Sequence, residues 1–168
     1  MNETSAIIRI FTVGGTIDKI YFDAKSAYEV GPPNIGEILA GLKLNPHFDV
    51  TPLMQKDSLD MDDTDRGLVR EAVADCSETR IIITHGTDTM VQTAEQLGEL
   101  ASKHGKTVVL TGALEPARFK TSDAMFNIGA AITAVQILPP GVYITMNGQV
   151  FDHDKVVKDV EQGRFVSL

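Results

Sequence analysis

The segment Ile81–Met90 reads IIITHGTDTM, and this short stretch predicts the fold of the chain. An apolar run that ends in hydroxyls and a carboxylate, and then turns at a glycine, is typical of a buried strand leading into a helix. In open α/β sheets, ligands bind beyond the carboxyl ends of the strands. An ordinary strand-to-helix turn with a capping box would read similarly. A second junction of the same kind, IRIFTVGGT at Ile8–Thr16, favours a ligand site.

Strand-like and helix-like segments alternate along the chain, as expected for parallel strands connected by helices. The predicted strands are Ile7–Thr12, Phe48–Met54, Arg80–Thr84, Thr107–Thr111 and Gly141–Met146. Several are continuous apolar runs, which indicates that helices cover both faces of the sheet. The predicted fold class is therefore α/β, a largely parallel open sheet flanked by helices on both faces in Rossmann- or flavodoxin-like layers. A single domain, residues 1–168, is expected at this length.

Four helices are predicted between these strands. Their expected first residues or caps are Asn34, Asp62 or Asp63, Met90, and Ser122 or Asp123. Apolar residues repeat at three- and four-residue steps, and the buried stripes include Leu68 in the second helix and Met125 in the fourth. The longest irregular stretch is Asp18–Pro33, and stretches of that length are often lids or ligand-binding segments. Near the end of the chain, Phe165-Val166 is expected to pair or pack.

Composition and charge narrow the range of partners. A net charge of −8 repels phosphate backbones and anionic membranes, so neither nucleic acid nor a membrane is an expected partner. No apolar run approaches the roughly 20 residues that span a bilayer, and the first residues lack the pattern of a signal peptide. The single cysteine, Cys76, cannot form an internal disulfide. These features predict a cytoplasmic protein. His85 has no ligand spacing with the other histidines, and no metal or cofactor is expected.

Thr16 is a candidate nucleophile, although the spacing alone does not favour that role. A hydroxyl attacks poorly unless a neighbour takes its proton or a local field favours the alkoxide. Gly14 and Gly15 would let the backbone approach a substrate and leave N–H groups free to hold an oxyanion. The same residues could instead form a tight turn with Thr16 as a cap. A phosphate-binding loop is disfavoured because no lysine follows the glycines.

Both junctions resemble the two signature threonine motifs of the bacterial-type L-asparaginase family. These motifs are VGGTI at Val13–Ile17 and THGTDTM at Thr84–Met90, and the segments Leu110–Ala113 and Ser122–Asn127 also match. The likeness extends from about Ile8 to Lys158. It covers the larger N-terminal domain of the family, whereas the C-terminal domain of the usual members, which are about twice as long, is absent.

The resemblance implies catalytic roles for six residues. It implies that Thr16 is the first catalytic threonine, that Thr87 and Asp88 are the second threonine and the substrate-binding aspartate, and that Lys158 is the catalytic lysine. A lysine kept neutral by burial could accept a proton from Thr87. Lys155 is the main rival for this role. A tyrosine assists the first threonine in the family, and both Tyr28 and Tyr21 are candidates.

The resemblance also implies a substrate cradle at Asp57–Asp60, reading DSLD, where the family holds an α-carboxylate. Ser58 matches directly, with Asp57 beside it. Leu59 stands where many members have glutamine or threonine, so one hydrogen bond to substrate is expected to be missing. Asp60 could hold Ser58 or interact with the substrate ammonium. The remaining substrate-binding positions that the resemblance implies are Gly15, Gly86 and Ala113.

The implied function is that of an amidohydrolase that converts L-asparagine to L-aspartate and ammonia. Alternatives are glutaminase activity, an amidotransferase subunit, or a catalytically weak binding module for small amino acids. The residues leave open whether an acyl-enzyme forms or water attacks directly. Because family members complete their sites between subunits, a homodimer or homotetramer is expected.

Overall fold

The structure, a computed structural model, describes residues 6–168 and contains a mostly parallel sheet between helices. The ten strands are β1 (Ile8–Gly14), β2 (Lys19–Phe22), β3 (Ala27–Val30), β4 (Phe48–Lys56), β5 (Arg80–Thr84), β6 (Thr107–Thr111), β7 (Gly141–Met146), β8 (Gln149–Asp152), β9 (Val156–Asp159) and β10 (Arg164–Ser167). Six of them form the central sheet in the order β4-β1-β5-β6-β7-β8. Only β8 runs antiparallel to its neighbour. The predicted fold class is confirmed.

The two remaining pairs of strands are small antiparallel hairpins. Strands β2 and β3 pair directly after the first glycine turn, with Tyr21 opposite Tyr28. Strands β9 and β10 pair at the end of the described chain, with Phe165 opposite Lys158. The Phe165 side chain is buried, and its backbone N–H donates to Asn147 Oδ1 at 2.8 Å. The expected pairing of Phe165-Val166 is therefore confirmed, and it fixes the second hairpin against the body of the domain.

Four helices cover the two faces of the sheet: α1 (Ile35–Ala40), α2 (Asp63–Asp75), α3 (Met90–Lys103) and α4 (Ala124–Ile137). Helices α2 and α3 pack on one apolar cluster, and α1 and α4 pack on the other. The central strands are buried on both sides, which explains their continuous apolar sequences. A reciprocal capping box between Asp62 and Asp65 begins α2. No helix within residues 6–168 is long and apolar enough to cross a membrane.

The strand order creates a switch point between β1 and β5. The chain passes from β1 to β4 on one side of β1 and then returns to β5 on its other side. Thr12 and Thr84 lie directly opposite each other in the parallel register of these strands. The two turns that follow, at Gly14–Thr16 and His85–Asp88, therefore start side by side. In open α/β sheets, this crevice is where ligands bind.

Three local predictions are wrong. The stretch Asp18–Pro33 is not wholly irregular, because most of it forms the β2–β3 hairpin. Met125 and Leu68 are 58% and 49% exposed and do not lie in the buried stripes. Apolar residues occur on nearly every side of α4, so their spacing alone does not identify the buried face. Asn34 stands at the N-cap position of α1 but makes no capping bond, and its side chain donates to Ile17 O instead.

Candidate active site

Strand β9 brings Lys158 to the turn that follows β5. Lys158 Nζ donates to Thr87 Oγ1 at 2.8 Å and to Asp88 Oδ1 at 2.6 Å. The lysine side chain is 16% exposed and Thr87 is buried, whereas the Asp88 side chain is 41% exposed. Lys155 instead pairs with Asp152 at 3.0 Å and is exposed. Of the two candidate lysines, the structure therefore brings Lys158 to the second threonine motif.

The two glycine turns lie in direct contact at the switch point. Gly15 has a backbone φ of +88°, and a Cβ placed on it would lie 2.4 Å from Gly86 Cα. A Cβ on Gly86 would in turn lie 2.6 Å from Ser58 Oγ. Side chains at either glycine would therefore separate the three segments. This close packing places the Thr16 turn, the Thr87 turn and the Ser58 turn around one crevice.

The amide of Gly15 is already used inside the protein. Gly15 N donates to Lys56 O at 2.9 Å, contrary to the expectation that the N–H groups of both Gly14 and Gly15 would be free. The reason is that β4 extends to Lys56 and pairs with β1 as far as Gly14. Thr16 itself is half-buried beyond this turn. The Gly15 amide is therefore not free to act as an oxyanion donor near Thr16.

The DSLD segment forms a short 3-10 turn, Ser58–Asp60, with Asp57 as its cap. Asp57 Oδ1 accepts from Leu59 N at 3.1 Å, and Thr89 Oγ1 donates to Ser58 O at 2.8 Å. The Ser58 side chain is buried, and its hydroxyl has no hydrogen-bond partner within residues 6–168. Leu59 is 70% exposed, and Asp60 is also exposed. A buried hydroxyl without a partner is typical of a position that a polar ligand completes.

Asp57 also connects this turn to the first hairpin. Its Oδ2 lies 2.8 Å from Lys19 Nζ. Burial disfavours the charge on Asp57, but the hydrogen bond from Lys19, the Leu59 amide and the positive charges of Lys19 and Lys158 together hold its pKa below the ordinary value. Two lysine–carboxylate pairs therefore lie along the crevice, Lys19 with Asp57 and Lys158 with Asp88.

His85 is fully buried behind the second threonine motif. Its Nδ1 contacts Gly86 O at 2.7 Å, and its Nε2 contacts Thr93 Oγ1 at 2.8 Å. Burial lowers the His85 pKa to about 4, so the ring is neutral at pH 7. A neutral ring that donates through Nδ1 and accepts through Nε2 satisfies both contacts. His85 thus supports the backbone of the turn. Within residues 6–168, no three histidine, cysteine or acidic side chains cluster closely enough to hold a metal ion.

The next turn along the sheet is equally tight. His85 N donates to Thr111 O at 2.9 Å, and a Cβ on Gly112 would lie 2.2 Å from His85 O. Ala113 follows and is buried. Asn127 Nδ2, on α4, donates to Gly112 O at 2.9 Å. These contacts fix Ala113 beside the turn that carries Thr87.

The two candidate tyrosines face each other on the first hairpin. Their ring centroids are 5.3 Å apart, and the Tyr28 ring also lies 5.7 Å from that of Phe119. Tyr21 and Tyr28 are 50% and 51% exposed. In the described part of the chain, neither hydroxyl is hydrogen-bonded to Thr16. The structure therefore does not distinguish between them, and both remain candidates.

Asp18 anchors the base of this hairpin. Its backbone N donates to Gly15 O at 3.1 Å, and its backbone O accepts from Gly31 N at 2.8 Å. The buried carboxylate accepts from Asn34 N at 2.8 Å through Oδ1. Burial raises the Asp18 pKa to about 6, although the hydrogen bonds from Asn34 oppose this shift. Asp18 thus links the Thr16 turn, the far end of the hairpin and the start of α1.

Comparisons with known proteins agree with this geometry. The profile of the N-terminal asparaginase domain matches residues 7–164. The chain belongs to the asparaginase family. It is 33% identical to L-asparaginase 2 of Escherichia coli over 160 residues and 32% identical to a probable periplasmic L-asparaginase of Haemophilus influenzae. The structure superimposes on the thermostable L-asparaginase of Thermococcus kodakarensis with a TM-score of 0.85 at 25% identity.

This asparaginase-family chain matches only part of each relative. The alignments to the two curated proteins cover 90% of this chain but 46% of each of them. The superposition on the T. kodakarensis structure covers 96% of this chain and 51% of that one. The chain thus spans about half the length of the relatives it matches. One relative is named as periplasmic, so the comparisons do not fix a cytoplasmic location.

Sequence reasoning did not identify two residues of the crevice. Lys19 follows the VGGTI motif and forms the ion pair with Asp57, and Thr89 lies inside the THGTDT motif and bonds to Ser58 O. Thr89 could have been noticed, because it is a third hydroxyl residue in a motif that supplies two other candidates. Lys19 carried no such signal, since its partner lies 38 positions away, at residue 57.

Proposed function

We propose that this chain is an amidohydrolase that converts L-asparagine and water to L-aspartate and ammonia. The observation that carries the proposal is the contact of Lys158 Nζ with both Thr87 Oγ1 and Asp88 Oδ1. This group lies at the switch point, beside the turn that carries Thr16. A hydroxyl, a lysine and a carboxylate in one crevice provide the parts of a proton-transfer unit. Membership of the asparaginase family supports the same chemistry.

Thr16 is the nucleophile in this proposal. Its Oγ1 attacks the side-chain amide carbon of the substrate, and the developing oxyanion is held by backbone N–H groups of the crevice. Collapse of that intermediate expels ammonia, which takes up a proton, and leaves an aspartyl ester on Thr16. Water then hydrolyses the ester and regenerates the hydroxyl. Tyr21 or Tyr28 relays the Thr16 proton to the departing amide nitrogen, so that this nitrogen leaves as ammonia.

Lys158 and Thr87 move protons in the same scheme. In the structure, Lys158 Nζ donates to Thr87 Oγ1 and forms an ion pair with Asp88. Lys158 must therefore release a proton before it can act as a base toward Thr87.

The remaining groups bind the amino-acid part of the substrate. Asp88, the most exposed member of the lysine–threonine–aspartate group, pairs with the α-ammonium. The unpartnered Ser58 hydroxyl donates to the α-carboxylate. Leu59 adds no side-chain hydrogen bond, and Asp60 lies at the open edge. The other positions that contact the substrate in this proposal are Gly15, Asp57, Gly86 and Ala113. No cofactor takes part.

Substrate selectivity tests the proposal. Purified protein is expected to release ammonia from L-asparagine with a higher kcat/KM than from L-glutamine. The reason is that Asp88 and Ser58 fix the α-carbon at one distance from Thr16, and one misplaced methylene costs roughly 10- to 200-fold. Succinamic acid lacks the α-ammonium and is expected to be a very poor substrate. Equal kcat/KM values for asparagine and glutamine, or efficient hydrolysis of succinamic acid, would contradict the assigned binding mode.

A further inference from the structure

A cleft of about 600 Å³ opens beside the Ser58 turn. Its walls come from the first hairpin, the end of β4 and the 3-10 turn, and they include Lys19, Tyr28, Lys56, Asp57 and Asp60. The cleft is therefore lined mainly by charged and polar side chains. The cleft reaches the Ser58 turn through Asp57 and Asp60, which flank Ser58 and Leu59 in that turn.

Lys19 occupies a fixed position in this cleft. It is the first residue of β2 and follows the Thr16–Asp18 turn directly. The hydrogen bond from Gly31 N to Asp18 O closes the base of the hairpin at this point. The Lys19 side chain is 28% exposed, and its Nζ lies 2.8 Å from Asp57 Oδ2. Its ammonium is thus held at the residue that precedes Ser58.

Lys19 retains hydrogen-bonding capacity toward the cleft. A lysine ammonium has three donors, and within residues 6–168 the only polar contact of Lys19 Nζ is with Asp57. Nearby donors are scarce, because the Leu59 side chain has none and the Leu59 amide already bonds to Asp57. Tyr28 and Gln55 also line the cleft and carry donors, but Ser58 Oγ and Lys19 Nζ are the donors that belong to the turn or bind its cap residue, Asp57.

The negative charges around the Ser58 turn mean that a cation is needed there if a ligand carboxylate is to bind. Asp57, Asp60 and Asp88 would repel an incoming carboxylate. Lys56 also lines the cleft, but both oxygens of Asp65 bind its Nζ at 2.8 Å. Lys158 also acts on Asp57, but its Nζ is bound to Thr87 and Asp88, so Lys19 is left as the cation that can face a ligand carboxylate.

We infer that Lys19 binds the α-carboxylate of the substrate together with Ser58, and that it supplies a contact that Leu59 cannot make. The inference rests on the proposed function, since it assumes that an amino acid occupies the crevice. It makes Lys19 a residue that selects for substrates with a free α-carboxylate. Charge-assisted hydrogen bonds of this kind are among the stronger polar contacts in proteins.

The test compares Lys19→Met with Lys25→Met in the full chain. Lys25 lies on the same hairpin, is exposed and pairs at 2.8 Å with Glu29, which also lines the cleft, so its replacement removes one positive charge but leaves the Lys19–Asp57 pair in place. Lys19→Met is expected to raise KM for L-asparagine by roughly 10- to 150-fold, because one charge-assisted hydrogen bond to the substrate is lost. The kcat of this variant should stay within about threefold of the wild-type value. Lys19→Arg should restore much of the affinity, and Lys25→Met should match the wild type.

Two further measurements separate binding from catalysis. L-Aspartic acid diamide has no α-carboxylate, so Lys19→Met should leave its kcat/KM unchanged. Calorimetric titration with L-aspartate should show weaker binding to Lys19→Met, whether or not the protein turns over. Thermal unfolding of each variant verifies that the fold is retained.

The outcomes distinguish the two claims. If the wild type hydrolyses L-asparagine and Lys19→Met behaves like Lys25→Met, the role of Lys19 is wrong and the proposed function stands. If L-aspartate binding depends on Lys19 but no amide is hydrolysed, the role of Lys19 stands and the proposed function is wrong. If the wild type neither hydrolyses L-asparagine nor binds L-aspartate, both claims are wrong.

Discussion

At the scale of single residues, buried titratable groups surround the crevice without facing solvent. Asp18 and His85 are both buried, and they lie in the turns that follow β1 and β5. Asp18 has its pKa raised from 3.8 to about 6, and His85 has its pKa lowered from 6.5 to about 4, in both cases because burial disfavours the charged form. In the folded protein, the pKa values of both groups therefore lie between about 4 and about 6.

The two groups affect stability with opposite signs in that window. The folded state prefers protonated Asp18, so this contribution to stability is fully present below pH 3.8 and is lost as pH rises through about 6. The folded state prefers neutral His85, so this contribution is present above pH 6.5 and is lost as pH falls through about 4. On acidification, Asp18 therefore offsets the loss that His85 causes.

Asp18→Asn removes that compensation and keeps a side chain of the same shape. We expect the free energy of unfolding to fall between pH 6.5 and pH 4 by about 2 kcal/mol more than it does in the wild type. Denaturant titrations at several pH values measure the difference. Asp23→Asn, at an exposed position on the hairpin, is the control and should follow the wild-type curve. Parallel curves for Asp18→Asn and the wild type would contradict the opposing effects.

At the scale of secondary-structure elements, the site depends on how closely the turns pack. Gly15 combines a positive φ with a Cβ position that Gly86 already occupies. Gly67, inside α2, has nothing within 4 Å of its Cβ position. Gly15 is therefore required for close packing of the turns, whereas Gly67 is not required for packing in its helix. The sequence alone does not show how much space surrounds each glycine.

Gly15→Ala is expected to destabilise the protein by about 2–5 kcal/mol, from the left-handed backbone and the overlap with Gly86. It should also abolish most activity, because the Thr16 and Thr87 turns can no longer touch. Gly67→Ala should stabilise the protein by about 0.5–1 kcal/mol, as expected for an unobstructed helical glycine. Denaturant unfolding and ammonia assays measure both effects. A Gly15→Ala variant of wild-type stability would mean that the turns are not packed as described.

The central elements could be predicted from the sequence because their signals are strong. Continuous apolar runs indicated β5, β6 and β7 with the bounds that the structure has. The β2–β3 hairpin was missed because its strands are four residues each and contain several charged or small residues. The exposure of Met125 was missed because α4 is apolar on nearly all sides. Periodicity identifies a buried face only when the opposite face is polar.

Some features of the candidate site could likewise be predicted from the sequence, and others could not. Motifs indicated Thr16, Thr87, Asp88 and Lys158, and the structure brings the last three into contact, although Lys158 lies 70 or 71 positions from the other two. The bond between Gly15 N and Lys56 O could not be predicted, because it depends on the register of β1 with β4. The pairing of Lys19 with Asp57 likewise depends on the hairpin that the sequence did not reveal.

At the scale of the whole molecule, the crevice is open on the side of the hairpin and of Asp88. The chain spans about half the length of its relatives, and the two tyrosines of the hairpin are half exposed. An open crevice beside exposed aromatic rings is a surface that another subunit can cover. Closed two-fold symmetry is the commonest arrangement for such contacts.

We therefore expect a homodimer or homotetramer in solution, with activity that falls as the assembly dissociates. Light scattering across a dilution series, with the ammonia assay at the same concentrations, measures both properties. Parallel loss of mass and of specific activity on dilution would support completion of the site between subunits. A fully active monomer would contradict it.

The most direct measurement is the rate of ammonia release from L-asparagine by purified wild-type, Thr16→Val, Lys158→Met and Lys155→Met proteins of verified fold. We expect measurable turnover in the wild type and a loss of roughly 10³-fold or more in the first two variants, as when a nucleophile or a proton-transfer group is removed. Lys155→Met should be nearly normal, since its partner is Asp152. A folded wild-type protein that releases no ammonia, or a Thr16→Val variant of undiminished rate, would contradict amide hydrolysis by Thr16.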